Sequence, residues 1–257
     1  MSTGDGPRST YDVFGAPIDA LDMDGAVARI GRWAAARESR SVCICNAHSV
    51  VTARSDPAFA AVLQGADMAT PDGAPVAWMG RWQGWPQQQR VCGPDLMLAC
   101  CADAAARGES IFLYGSTPET LERLEATLRQ RWPTLRIAGR HAPPFRPLTA
   151  AEDEAVVRLI NASGAGTVWV SLGCPKQEAW MAAHRGRIHA VMLGVGAAFD
   201  FHAGTQPRAP RWMRDNGLEW LYRLVSEPRR LWRRYLVTNT LFIWFALQQR
   251  LRGRRAG

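Results

Sequence analysis

Residues 70–73 read Thr-Pro-Asp-Gly, which places a carboxylate in a turn between a residue of fixed φ and one of free φ. Asp72 can there be aimed into a cleft and take a proton from an attacking hydroxyl. Asp in such a turn is also ordinary turn chemistry. Three further places carry comparable chemistry. Asn46 ends the apolar run Ser41–Cys45, while Gly115-Ser116 and Gly173-Cys174-Pro175-Lys176-Gln177 each join an apolar run to a helical pattern. Small residues at such junctions let backbone N–H groups and the positive end of a helix approach a phosphate. Each glycine alone is usual at a turn; two such loops, one holding Lys176, the only lysine in the chain, make a stronger signal. His48 can line the same pocket or serve as a structural histidine.

Other chemistries find less support. There is no G-x-S-x-G, H-E-x-x-H or phosphate-binding Walker loop. Gly194-Val195-Gly196-Ala197-Ala198-Phe199 departs from the dinucleotide fingerprint at Phe199. Asp22-Met23-Asp24 has the form of a D-x-D metal motif, but acids just before a helical stretch (Ala26–Ala35) read first as helix caps. The six cysteines form no C-x-x-C pair and read as reduced core thiols.

These residues need a frame, and the pattern predicts one. Strands at Ser41–Cys45, Ser110–Tyr114, Leu135–Ala138, Thr167–Leu172 and His189–Leu193 alternate with helices. The helices are predicted at Asp56–Gln64 (Asp56 as N-cap, Pro57 at the first turn), Ala74–Arg81, Pro94–Arg107, through Gln130, Thr149–Asn161 and onward from Gln177. Such alternation implies a Rossmann-like α/β fold, a largely parallel sheet with helices on both faces. Residues 1–10 read as a disordered lead, 11–206 as the α/β domain and 207–257 as a helical basic appendage.

The appendage holds twelve arginines and three acids, whereas the rest of the chain is almost neutral. Basic helices with Trp and Tyr suit an anionic bilayer interface, or a grip on a diphosphate. Arg211, Arg214, Arg223, Arg229, Arg230, Arg233 and Arg234 are the candidates for both. The run Tyr235–Leu247 is too short to span a bilayer. With no apolar leader at the N-terminus, the expected location is cytoplasmic, on the inner face of the membrane.

Asn46-Ala47-His48, Thr70–Gly73, Arg90-Val91-Cys92-Gly93-Pro94-Asp95-Leu96, Tyr114-Gly115-Ser116, Gly173–Glu178, Gly194–Gly204, Gly217-Leu218-Glu219-Trp220 and Glu227-Pro228-Arg229-Arg230 occur in that order. Together they closely resemble the WecG/TagA/CpsF glycosyltransferases, over roughly residues 11–251. The resemblance implies an inverting sugar transferase using a UDP-sugar donor and a polyprenyl-diphosphate-linked acceptor, without metal or cofactor, in cell-surface polymer synthesis. It implies Asp72 as general base, and Asn46, Arg90 and Gln177 as polar pocket positions. It also implies an appendage that meets the membrane and closes over the site. Arg90, Lys176 and the helix starts at Gly115-Ser116 and Gly173 would stabilise the leaving diphosphate; Asp200 would bind a ribose or sugar hydroxyl or cap a turn. Ile44 stands where many relatives carry Thr. A homo-oligomer is left open. The rival readings are a nucleotide-dependent α/β oxidoreductase using Gly194–Phe199, and a non-catalytic basic adaptor on membrane or nucleic acid. Nucleic acid is not an expected partner, since no reading module accompanies the charge.

Overall fold

The computed structural model describes residues 8–253. The chain opens with an antiparallel hairpin, β1 (Thr10–Val13) and β2 (Ala16–Asp19), that the sequence pattern does not announce. Arg8 pairs with the buried Asp19 at 2.6 Å, so residues 8–10 belong to the fold rather than to a disordered lead. Residues 1–7 of that expected lead lie outside the described residues. Asp19 also accepts from the Ala69 N–H at 2.7 Å, which ties the hairpin to the body of the chain.

From there strands and helices alternate as expected, with α2 as an element the sequence pattern does not announce: α1 (Met23–Ala35), β3 (Arg40–Cys45), α2 (Ala47–Ser55), α3 (Pro57–Gly65), β4 (Met68–Pro71), α4 (Ala74–Trp82) and α5 (Gly93–Arg107). Then come β5 (Ser110–Gly115), α6 (Pro118–Arg131), β6 (Arg136–His141), α7 (Ala150–Ser163), β7 (Thr167–Ser171), α8 (Lys176–His184), β8 (Val191–Gly194) and α9 (Ala198–His202). Local chemistry sets several starts. The Asp56 carboxylate accepts from Ala58 and Phe59 N–H groups ahead of Pro57. Thr149 and Glu152 form a reciprocal capping box. Asp22 caps α1 through the Gly25 N–H at 2.8 Å, so the D-x-D serves the helix.

Six strands form one parallel sheet in the order β4-β3-β8-β7-β5-β6. Strand side chains alternate between two apolar cores. Cys43, Cys45, Phe112, Tyr114, Val168, Val170 and Met192 face one, while Val42, Ile44, Ile111, Leu113, Trp169, Val191 and Leu193 face the other. Helices cover both faces, so the α/β, Rossmann-like reading holds. The described cysteines are all free thiols, and all but Cys174 are buried.

Past Pro207 come α10 (Arg211–Asp215), α11 (Glu219–Ser226) and α12 (Pro228–Gly253). This appendage is fastened to the body. Phe242 and Ala246 enter the first core, and Phe242 meets Phe14 edge-on at 5.0 Å. Gln249 donates to the Asp12 carbonyl at 2.9 Å. The opposite side of α12 shows Trp232, Leu236, Ile243, Leu247 and Leu251 to solvent, spaced to form a single stripe. Among the described residues no helix is long and apolar enough to cross a membrane.

Candidate active site

All six parallel strands end on one side, where open α/β sheets hold their ligands. β3 and β4 pair Cys45 with Pro71, so Asn46 and Asp72 leave adjacent strands side by side. The Asp72 N–H donates to the Cys45 carbonyl at 2.9 Å, and the Val91 N–H to the Pro71 carbonyl at 2.9 Å. The second bond brings Arg90 beside the turn. Asn46 caps α2: its Oδ1 accepts from the His48 and Ser49 N–H groups at 3.0 and 3.2 Å. Two backbone donors fix the amide's orientation, and its NH₂ keeps no partner among the described residues.

Asp72 is half-buried. Burial pushes its carboxyl up to about 6, against the pull of the Arg90 guanidinium and with a further push from Glu219. Arg90 pairs with Glu219 of α11 at 2.9 Å. Around them runs an ionic net that joins body to appendage. Arg208 meets Asp95 at 2.5 Å and approaches Glu219 at 3.7 Å, and Arg214 reaches Asp95 at 3.5 Å. Burial works to raise Asp95, but hydrogen bonds from Arg208 and the Cys92 thiol hold it down at about 2. Asp95, Arg208 and Glu219 were absent from the sequence-predicted site, although Asp95 and Glu219 lie inside quoted motifs. No local spacing signals a contact between residues 90 and 219.

The other expected loops lie at the β5/β7 pair, where the connection from β5 runs outward and that from β7 runs back, a topological switch point. Gly115 has φ +110, and a Cβ there would stand 2.4 Å from the Ser171 carbonyl oxygen. The Ser116 N–H donates to that same oxygen at 3.0 Å. Gly115 therefore serves a close strand approach, and the Ser116 amide is committed to the protein. This corrects the expectation that it cradles phosphate. Gly173 is exposed at φ +78. Lys176 stands exposed in the first turn of α8.

Gln177 is buried beneath the end of β8. A Cβ on Gly194 would lie 3.1 Å from its Nε2. That Nε2 donates to Glu178 Oε1 at 2.9 Å, while Gln177 Oε1 and Glu178 Oε2 are buried without a protein partner. Burial pushes the Glu178 carboxyl up. Ile44 is buried in the core, and its register partner Thr70 carries a buried hydroxyl, also unpartnered.

Asp200 on α9 accepts from the Thr205 hydroxyl at 3.4 Å, which is the turn-capping alternative. Burial raises its carboxyl, and Arg230 and Arg223 pull it back, so it also sits beneath the α11–α12 corner. The seven appendage arginines divide. Arg214 turns inward to Asp95, Arg223 lies over the Phe201 ring at 5.7 Å, and Arg230 pairs with Glu227 at 2.5 Å. Desolvation lowers Arg234, which flanks His48; desolvation and that nearby charge together push the imidazole down to about 4. Arg211, Arg229 and Arg233 are exposed, and so are Arg230 and Arg234, whereas Arg214 and Arg223 are partly buried. Among the described residues no three His, Cys, Asp or Glu side chains gather as a metal-ligand set.

An open parallel sheet with helices on both faces, and polar loops at its carboxyl end, defines a Rossmann-like α/β protein. The chain belongs to the WecG/TagA/CpsF glycosyl transferase family, which matches residues 11–256. It is a glycosyltransferase of cell-surface polysaccharide synthesis.

Proposed function

We propose that this enzyme moves a sugar from a UDP-sugar to a saccharide carried on a polyprenyl diphosphate, with inversion, and that Asp72 is the general base. The observation that carries this reading is the half-buried Asp72 carboxyl, raised to about 6 beside Arg90 at the carboxyl end of the sheet. A base of that pKa is ionised at neutral pH yet holds a proton well enough to assist attack of a hydroxyl on the anomeric carbon, worth about 10²–10⁴-fold. In a single displacement the acceptor oxygen bonds to the anomeric carbon, the bond to the UDP oxygen breaks, and the hydroxyl proton passes to Asp72.

The departing diphosphate needs fixed positive charge. Arg90 and Lys176 supply cations, and the free Asn46 NH₂ supplies a neutral donor next to Asp72. Gln177 and Glu178, with one unpartnered oxygen each, offer acceptors for sugar or ribose hydroxyls once a ligand reaches them. Arg223, Arg230 and Arg234 suit the acceptor diphosphate, while Arg211, Arg229 and Arg233 suit anionic head groups on the inner face of the membrane.

Single-turnover release of UDP from candidate donors, with a synthetic lipid-diphosphate-sugar acceptor, tests the reading. Asp72→Asn should slow the step by at least about a hundredfold and leave donor binding in place. Near-normal turnover would remove Asp72 from the mechanism. Inversion is checked separately, by the anomeric coupling in the product's NMR spectrum.

A further inference from the structure

We infer that α4 is a second bilayer-docking element: Trp78, Trp82 and Trp85 form an apolar ridge that enters the lipid interface beside the appendage. The inference rests on the reading of the appendage as the membrane-facing segment and extends that face to a helix of the catalytic body.

Trp78 and Trp82 are four residues apart on α4, hence on one side of it, and Trp85 follows in the next turn of chain. They are 44, 56 and 38 % exposed, unusual for the largest apolar side chain. The appendage brackets α4 at both ends. At its start, a Cβ on Gly217 would stand 2.8 Å from the Ala74 Cβ. At its end, the Arg250 guanidinium lies 5.4 Å from the Trp82 ring centre, and Gln83 and Gln249 both donate to the Asp12 carbonyl. The bracketing appendage exposes tryptophans of its own, Trp212, Trp220, Trp232 and Trp244.

Charge selects the occupant. No Asp or Glu occurs from residue 73 to 94, nor from 228 to 253, while the same stretches hold Arg81, Arg90 and six arginines of α12. Carboxylates from elsewhere reach this region, Asp12 beside Gln249 and Glu219 against Arg90, but arginines outnumber them; indole rings in such a predominantly basic setting match the interfacial zone of an anionic bilayer. A ridge at that depth also has a use. Asp72 lies two residues before α4, so docking α4 holds the carboxylate near a sugar whose lipid tail stays in the membrane.

The test is co-sedimentation of the full chain with vesicles of phosphatidylglycerol and phosphatidylcholine. W78A/W82A/W85A, folded by circular dichroism, should bind about tenfold more weakly and stay weaker at high salt. R229Q/R233Q should lose only the salt-sensitive part. Unchanged vesicle binding by the tryptophan variant overturns the inference and leaves the appendage reading intact. Failure of the unmodified chain to bind such vesicles overturns both. If the tryptophan variant instead converts a dimer to a monomer in solution with vesicle binding intact, a second copy covers the ridge and the inference falls. A measurement free of variants is hydrogen exchange: α4 amides should exchange more slowly on the vesicles, and equal exchange contradicts the proposal.

Discussion

The β3–β4 half of the sheet's carboxyl end and the β5–β7 half look alike in sequence, since each sends a short polar loop from a strand into a helix. They differ in what remains unspent. At β3–β4, Asn46 keeps its NH₂ and Asp72 keeps a carboxylate raised by burial. At the end of β5 the equivalent groups are consumed: Gly115 allows contact with Ser171, and the Ser116 N–H is bonded to it, while the loop after β7 keeps Lys176 exposed and one unpartnered oxygen each on Gln177 and Glu178. The half-buried Asp72 carboxylate is held at some expense in stability. Gly115 and Ser116 hold the sheet together at its switch point.

Substitutions can break or sharpen that contrast. The largest effect is expected at Asp72→Asn, with turnover down about 10²–10⁴-fold. The fold should gain from the same change. A carboxyl whose folded pKa is raised contributes stability below its unfolded pKa and loses it as pH rises through the folded value, here about 6. The melting temperature of Asp72→Asn relative to the unmodified chain should therefore climb from about pH 4 to a little above pH 6 and level off beyond. A constant difference across that range would deny the burial cost.

On the other half the pattern reverses. Gly115→Ala should cost about 2–3 kcal/mol of stability, from a positive φ and a collision with the Ser171 carbonyl. Calorimetry that finds no destabilisation would contradict the structural role. Glu219→Gln is subtler. Glu219 raises Asp72 and occupies Arg90, so its neutralisation should move the acidic limb of the pH–rate profile toward lower pH. A limb that stays in place would uncouple the appendage from the base. Smallest is Lys176→Ala: an exposed cation should change UDP release by no more than about fivefold.

Much of this frame is legible in local chemistry. Asp56-Pro57 and Thr149 with Glu152 announce helix starts through bonds that span two or three residues. The strands announce themselves as apolar runs because the sheet is covered on both faces. The opening hairpin does not, since its strands are four residues long and its turn carries Phe14 at φ 60. Helix α2 is hidden too. Its cap, Asn46, reads as a pocket residue, and its oxygen turns out to serve the helix while its nitrogen stays available. Asp72, Arg90 and Gln177 are visible from their motifs. Glu178 follows Gln177 directly in the chain, but Glu219 and Arg208 are brought to the site by tertiary contacts that carry no spacing signature. Exposed and inward arginines of the appendage are likewise indistinguishable until Asp95 and Phe201 are placed beneath them.

The most direct single measurement is the pH dependence of single-turnover UDP release in the unmodified enzyme and in Asp72→Asn. The account predicts a rate that rises through an apparent pKa near 6 in the former, and a slow rate without that limb in the latter. An identical limb in both proteins would show that another group takes the proton.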